Sequence, residues 1–113
     1  MIVDPAKVQS QQVLGDGAVG LVYRTILGPA PGRRLTSNLV EVSPGGITRK
    51  HRHQWEQVNY ILSGDGVLVT GEGSRSRVAG GMIAHIPGGE MHWFENTGQV
   101  PLVILGVLGP DAQ

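Results

Sequence analysis

The chain of 113 residues contains no cysteine. That absence removes disulfide scaffolds, thiolate zinc sites, iron–sulfur clusters and cysteine nucleophiles together. It also fits a reducing compartment, so a cytoplasmic location is the expectation. Neither sign of charge is in surplus: nine Lys plus Arg stand against nine Asp plus Glu. Holding nucleic acid takes a basic excess to displace phosphate counterions, so no nucleic-acid partner is expected. No apolar run reaches the roughly 18–20 residues of a membrane span. Met1-Ile2-Val3-Asp4-Pro5 has no basic region leading into an apolar stretch. Neither a membrane partner nor a signal peptide is therefore expected.

Glycine, by contrast, is abundant at 18 residues, about twice its usual ~7% share, and proline adds seven. With 40% of the chain apolar, this composition argues for many turns and not for disorder. No repeat, linker or low-complexity tract divides the chain, so residues 1–113 read as a single domain. Glycine-rich clusters separate short β-prone runs at Ala18–Leu27, Leu35–Val42, Gln57–Leu62, Val67–Thr70, Met82–Ile86, His92–Glu95 and Leu102–Leu108. Short strands at that spacing predict an all-β sandwich or barrel. Asp-Gly within Ser63-Gly64-Asp65-Gly66 predicts a hairpin between the flanking runs. Asp4-Pro5-Ala6-Lys7 predicts one turn of helix at most, with Asp as the cap. Leu102–Leu108 is apolar on both faces, so one face should line the interior and the other should lie under a second sheet or a partner subunit.

Chemistry concentrates on three histidines. In an extended strand, residues i and i+2 share a face, so His51 and His53 present two imidazoles together. If the turn at Gln54-Trp55-Glu56 keeps that parity, Gln57 and Asn59 follow on the same side. Two imidazoles and an amide oxygen, joined by His92 from a distant strand, make a plausible nitrogen and oxygen metal site. Taken alone, an H-x-H pair is more often a chance pair of surface histidines. No phosphate loop, dinucleotide glycine motif or supported Ser-His-Asp set competes for the chemistry.

The spacing around these histidines resembles the cupin family. Its first motif, G-(x)5-H-x-H-(x)3,4-E-(x)6-G, is matched by Gly45, His51, His53 and Gly64, with Gln57 in the place of the carboxylate. Its second, G-(x)5-P-x-G-(x)2-H-(x)3-N, is matched by Gly81, Pro87, Gly89, His92 and Asn96. The two motifs span residues 45–96. The segment His51-Arg52-His53-Gln54-Trp55-Glu56-Gln57 also resembles a subgroup of small bacterial cupins that bind metal through four histidines, Gln57 standing where the fourth would be. The resemblance implies a double-stranded β-helix, or jelly-roll, barrel. It implies one divalent transition metal ion per chain (Mn, Fe, Ni, Co, Cu or Zn), held by His51, His53, Gln57 and His92. Glu56 is the rival fourth ligand, although parity points it away. An amide oxygen in place of a carboxylate leaves the metal weaker held and more Lewis-acidic.

By the same parity Phe94 forms an apolar wall, Asn59 orients a substrate or water and Arg49 stands at the mouth. His85, a lone histidine in an apolar run, either lines the cavity beside the metal or is a hydrogen-bonded structural residue. Trp55 and Trp93 pack around the site or across a subunit interface, and Tyr60 faces outward. The activity implied is that of a metal-dependent oxygenase-like enzyme acting on a small organic substrate, such as an enol or phenol. A sugar or uronate isomerase or lyase, and a non-catalytic protein holding a metal or small ligand, are the alternatives. Related cupins exchange N-terminal strands, so a homodimer sharing strands from residues 1–34 is expected.

Overall fold

The computed structural model describes residues 1–110, and among these the secondary structure is almost entirely β. A single 3-10 turn at Pro5–Lys7 is capped by Asp4, whose side chain accepts from the Ala6 amide at 3.0 Å. Nine strands follow in chain order: β1 (Gln11–Val13), β2 (Val19–Leu27), β3 (Thr36–Ile47), β4 (Gln57–Ser63), β5 (Asp65–Thr70), β6 (Ser74–Ala79), β7 (Ile83–Ile86), β8 (His92–Glu95) and β9 (Leu102–Leu108). Every pairing is antiparallel, and the strands form one curled sheet in the order β6-β5-β8-β3-β9-β4-β7, with β2 and then β1 added beside β3.

The curl closes the barrel because β3 serves two sets of partners. Its first part pairs with β2 and β9, and its last residue, Ile47, pairs with Glu95 of β8. The cluster Ser43-Pro44-Gly45-Gly46, which reads as a turn, instead lets this strand bend between the two halves. A Cβ at Gly46 would meet the Val19 carbonyl oxygen at 2.6 Å, so only glycine passes here. Asn96 locks the bend. Its Nδ2 donates to the carbonyls of Val42 and Val100, both at 2.8 Å, and its Oδ1 accepts from the Gly98 amide. Its backbone exchanges bonds with Gly45 and Gly46.

The hairpin expected at Ser63-Gly64-Asp65-Gly66 is absent. β4 pairs with β7 and β9, whereas β5 pairs with β6 and β8. Gly64, at φ 85°, carries the chain across from one half of the barrel to the other, and a Cβ there would run into the Pro101 carbonyl. The hairpin lies one strand later, at Gly71-Glu72-Gly73, and joins β5 to β6. Strand β6, Ser74-Arg75-Ser76-Arg77-Val78-Ala79, carries too little apolar alternation to be read as a strand. It forms an edge, where exposed arginines discourage further pairing.

The interior is filled by Leu21, Val42, Ile61, Leu68, Val78, Ile86, Phe94, Leu102 and Ile104. Leu102, Ile104 and Gly106 of β9 face inward, as alternation requires. Opposite them, the outer face of β4, β7 and β9 is not covered by a second sheet among the described residues. Val58, Tyr60, Leu62, Ile83 and Val107 are all exposed there, Ile83 by 68%. Among the described residues no helix is long and apolar enough to cross a membrane.

Candidate metal centre and cavity

Burial alternates strictly from His51 to Tyr60, so the parity set by the H-x-H pair survives the turn at Gln54-Trp55-Glu56. His51 forms a two-way backbone bridge with His92, the first residue of β8. That bridge brings imidazoles from the two motifs together. The ring centroids of His51, His53 and His92 lie 4.8–5.1 Å apart, and one ligand nitrogen from each falls within 4.8 Å of the others.

Hydrogen bonds set which nitrogens are free. His53 Nδ1 bonds the Trp55 carbonyl and His92 Nδ1 the Glu90 carbonyl, each at 2.9 Å. A carbonyl can only accept, so both Nδ1 atoms carry the proton and both Nε2 lone pairs remain available. Nδ1 of His51 is buried without a hydrogen-bond partner among the described residues. Burial, followed by the neighbouring imidazoles of His92 and His53 and the Arg49 guanidinium, holds the His51 pKa down at about 4. Burial also lowers that of His92. At neutral pH these two rings are therefore uncharged, the state that binds a metal. Three imidazoles with no thiolate fit a divalent transition metal ion.

The trio opens on a cavity of about 700 Å³. Phe94, Leu21, Val40, Ile104 and Leu108 supply apolar walls, and Gln57, Asn59, Asn38 and Tyr23 supply polar groups. Gln57, 9% exposed, donates from Nε2 to Asn59 Oδ1 at 2.8 Å, which leaves its own Oε1 uncommitted by that bond. Trp55 also lines the cavity, its indole stacked on the His53 ring at 4.3 Å and 5°. Arg49 stands at the cavity wall and forms an ion pair with Asp16 at 3.0 Å. Among the described residues no carboxylate lines this cavity, whereas Arg49 and Arg52 both do.

Two expectations need correction or sorting. His85 does not line the cavity. β7 pairs with β4 so that Ile86 meets Gln57 and His85 meets Val58, which puts His85 on the outer face. There its Nε2 lies 3.3 Å from Glu56 Oε2 in an exposed pair. The same contact holds the Glu56 carboxylate outside, away from the three histidines. Trp93 also lies outside, donating to Glu95 at 2.9 Å beneath the Lys50 ammonium. The residues missed by sequence reading are Tyr23 and Asn38. They come from β2 and β3, outside the H-x-H neighbourhood, and only the sheet pairing brings them to the cavity.

A family profile described as "Cupin domain" matches residues 38–108, more than half of the chain. An uncharacterized protein, MJ1618, from Methanocaldococcus jannaschii is 36% identical over 89 residues, which cover 76% of this chain and 70% of that one. The polyketide cyclase RemF from Streptomyces resistomycificus superposes with a TM-score of 0.86 at 30% identity, covering 98% of this chain and 80% of that one. A predicted oxalate decarboxylase from Thermotoga maritima superposes with a TM-score of 0.88 at 24% identity, covering 97% and 99%, a likeness of fold alone.

Proposed function

Because the chain belongs to the cupin family, we propose that it is a metal-dependent enzyme acting on a small enol- or phenol-bearing molecule inside the barrel. The observation that carries this reading is the make-up of the cavity wall: three imidazoles and two arginines, with no carboxylate among the described lining residues. With a divalent ion added, such a wall favours an electron-rich or anionic oxygen over any cation. His51, His53 and His92 would hold the ion, and Gln57 Oε1 is the candidate fourth ligand. The bound ion would supply Lewis acidity, or redox chemistry toward O2.

The chain's own residues then do the rest. Leu21, Val40, Phe94 and Ile104 exclude water from the reacting face. The Gln57–Asn59 bond fixes both carboxamides so that a substrate meets them in one orientation. That no carboxylate lines the cavity among the described residues lowers the sugar isomerase or lyase reading, which needs a positioned base.

Oxygenation of the enol or phenol is the first reaction proposed. Ring closure of a poly-ketone chain is the second, favoured by the 30% identity to the polyketide cyclase. Oxygen uptake by the metal-loaded protein with a panel of 1,3-diketones and phenols tests both, with mass spectrometry of the products. Gain of two oxygen atoms is the result expected. Loss of water without oxygen uptake would transfer the assignment to ring closure. Tight binding of the compounds without turnover would make the protein a ligand holder and overturn the enzymatic reading.

The proposal includes a homodimer. The exposed outer face of β4, β7 and β9 is apolar at its centre and polar at its margin in the Glu56–His85 pair, so a second copy of the same face can cover it. A dimer is expected by sedimentation at micromolar concentration, and Ile83→Arg should return it to monomer. A wild-type monomer would contradict this.

A further inference from the structure

We propose that Tyr23, Asn38 and Asn59 form a second recognition wall that binds an oxygen of the substrate remote from the histidine centre. The substrate class is thereby narrowed to flat molecules oxygenated at two separated positions. This rests on the enol-or-phenol reading above and deepens it.

The wall crosses four strands. Asn38 of β3, Gly106 of β9 and Asn59 of β4 stand side by side in the sheet register. Tyr23 of β2 is two register positions along, opposite Val40 and so on the same face as Asn38. Gly106 is needed where the two asparagines converge. A Cβ there would lie 2.5 Å from Asn38 Oδ1 and 3.4 Å from Asn59 Nδ2, so any side chain would displace the carboxamides. The surrounding wall is apolar, with Leu21, Val40, Ile104 and Leu108. Polar groups placed in such surroundings are costly unless their hydrogen-bonding capacity is used.

Here part of that capacity is unused. Asn38 Nδ2 donates to the Tyr23 hydroxyl oxygen at 3.2 Å, which leaves the phenolic proton to be donated elsewhere. Asn59 Oδ1 accepts from Gln57, so the NH2 of the same carboxamide, on a residue that lines the cavity, is the group it can offer as a donor. Two donors on one wall, with no carboxylate among the described lining residues to attract a cation, complement a carbonyl or hydroxyl oxygen. The histidine centre asks for an oxygen as well. One flat, mostly apolar molecule with oxygens at two places satisfies both and fills the apolar space between.

Two bicyclic probes differ only in the remote oxygen. Both 4,8-dihydroxy-1-tetralone and 8-hydroxy-1-tetralone carry a ketone and phenol pair for the metal, and only the first has a further hydroxyl. Calorimetric titration of the metal-loaded protein should show the dihydroxy compound binding at least ~10-fold tighter, the effect of one satisfied buried donor. Tyr23→Phe should bring that ratio close to one and leave affinity for the monohydroxy compound unchanged. Asn59→Ala should reduce the ratio as well, and it serves where Tyr23→Phe fails to fold. Equal binding of both compounds by wild type, insensitive to either substitution, would overturn the second wall and leave the metal-centred reading standing. No binding of either compound, or binding unaffected by removal of the metal, would overturn both.

Discussion

The histidine rim and the tyrosine–asparagine wall share one cavity but are assembled in opposite ways. The rim is built from two short segments, His51-Arg52-His53 and the start of β8, joined by a single backbone bridge. Its side chains are aimed by carbonyls two residues away, Trp55 for His53 and Glu90 for His92. The wall has no local plan. Tyr23 and Asn38 meet across the pairing of β2 with β3, and Asn59 joins them only because β9 lies between β3 and β4. Spacing along the chain therefore specifies where an ion is held, and sheet topology specifies what else the cavity can grip. In a barrel of this kind the two can change independently, since a substitution on β2 or β3 leaves the rim's hydrogen bonds intact.

Three substitutions or conditions probe that separation, and the largest effect is expected on the rim. His53→Ala removes one of three imidazoles and the ring stacked on Trp55. Metal affinity, read by competition with a chelator, should fall by at least ~100-fold, more than the ~10–100-fold typical of losing an outer-shell partner. Tyr23→Phe should leave that affinity unchanged, and a shared loss would break the comparison.

Next comes the join between the regions. Asn96→Ala deletes three buried or half-buried hydrogen bonds that hold the bend of β3 against the end of β8. A loss of about 2–4 kcal/mol in unfolding free energy is expected from denaturant titration. An effect below about 0.5 kcal/mol would show that the bend holds without it.

The smallest effect is that of pH on the metal-free protein. The folded state holds the His51 pKa near 4, below the 6.5 of the unfolded chain, and that of His92 is lowered too. The unfolded state therefore binds more protons in that range, so stability should fall as pH drops from about 6.5 toward 4. The half-exposed position of His51 keeps the effect modest. Bound metal should steepen the slope, because it keeps the same lone pairs unprotonated in the folded state to lower pH. A melting temperature independent of pH between those limits would contradict the burial of the neutral rim.

Much of this was legible in the order of residues, and the failures have physical causes. The glycine and proline spacing of the two motifs survives as geometry: Gly45, Gly64, Gly81 and Gly89 all take positive φ, and Asn96 is a staple. The period-2 argument carried parity from His51 to Asn59 because burial alternates without a slip. It gave no guide to His85, because Met82-Ile83-Ala84-His85-Ile86 is nearly all apolar and has no phase of its own. Pairing of Ile86 with Gln57 sets the phase from outside. It failed at Ser63-Gly64-Asp65-Gly66 because residues suited to a tight turn equally suit a crossing between sheet halves. Tyr23 and Asn38 could not be found by spacing, since neither belongs to the histidine motifs.

The central claim is that one divalent ion sits between the imidazoles of His51, His53 and His92. Anomalous diffraction at the cobalt edge from crystals of the cobalt-loaded protein tests it most directly. The account predicts one anomalous peak per chain, within bonding distance of a nitrogen from each of the three rings. A peak on any other residues, or none at that position in a protein shown to be folded, would contradict it.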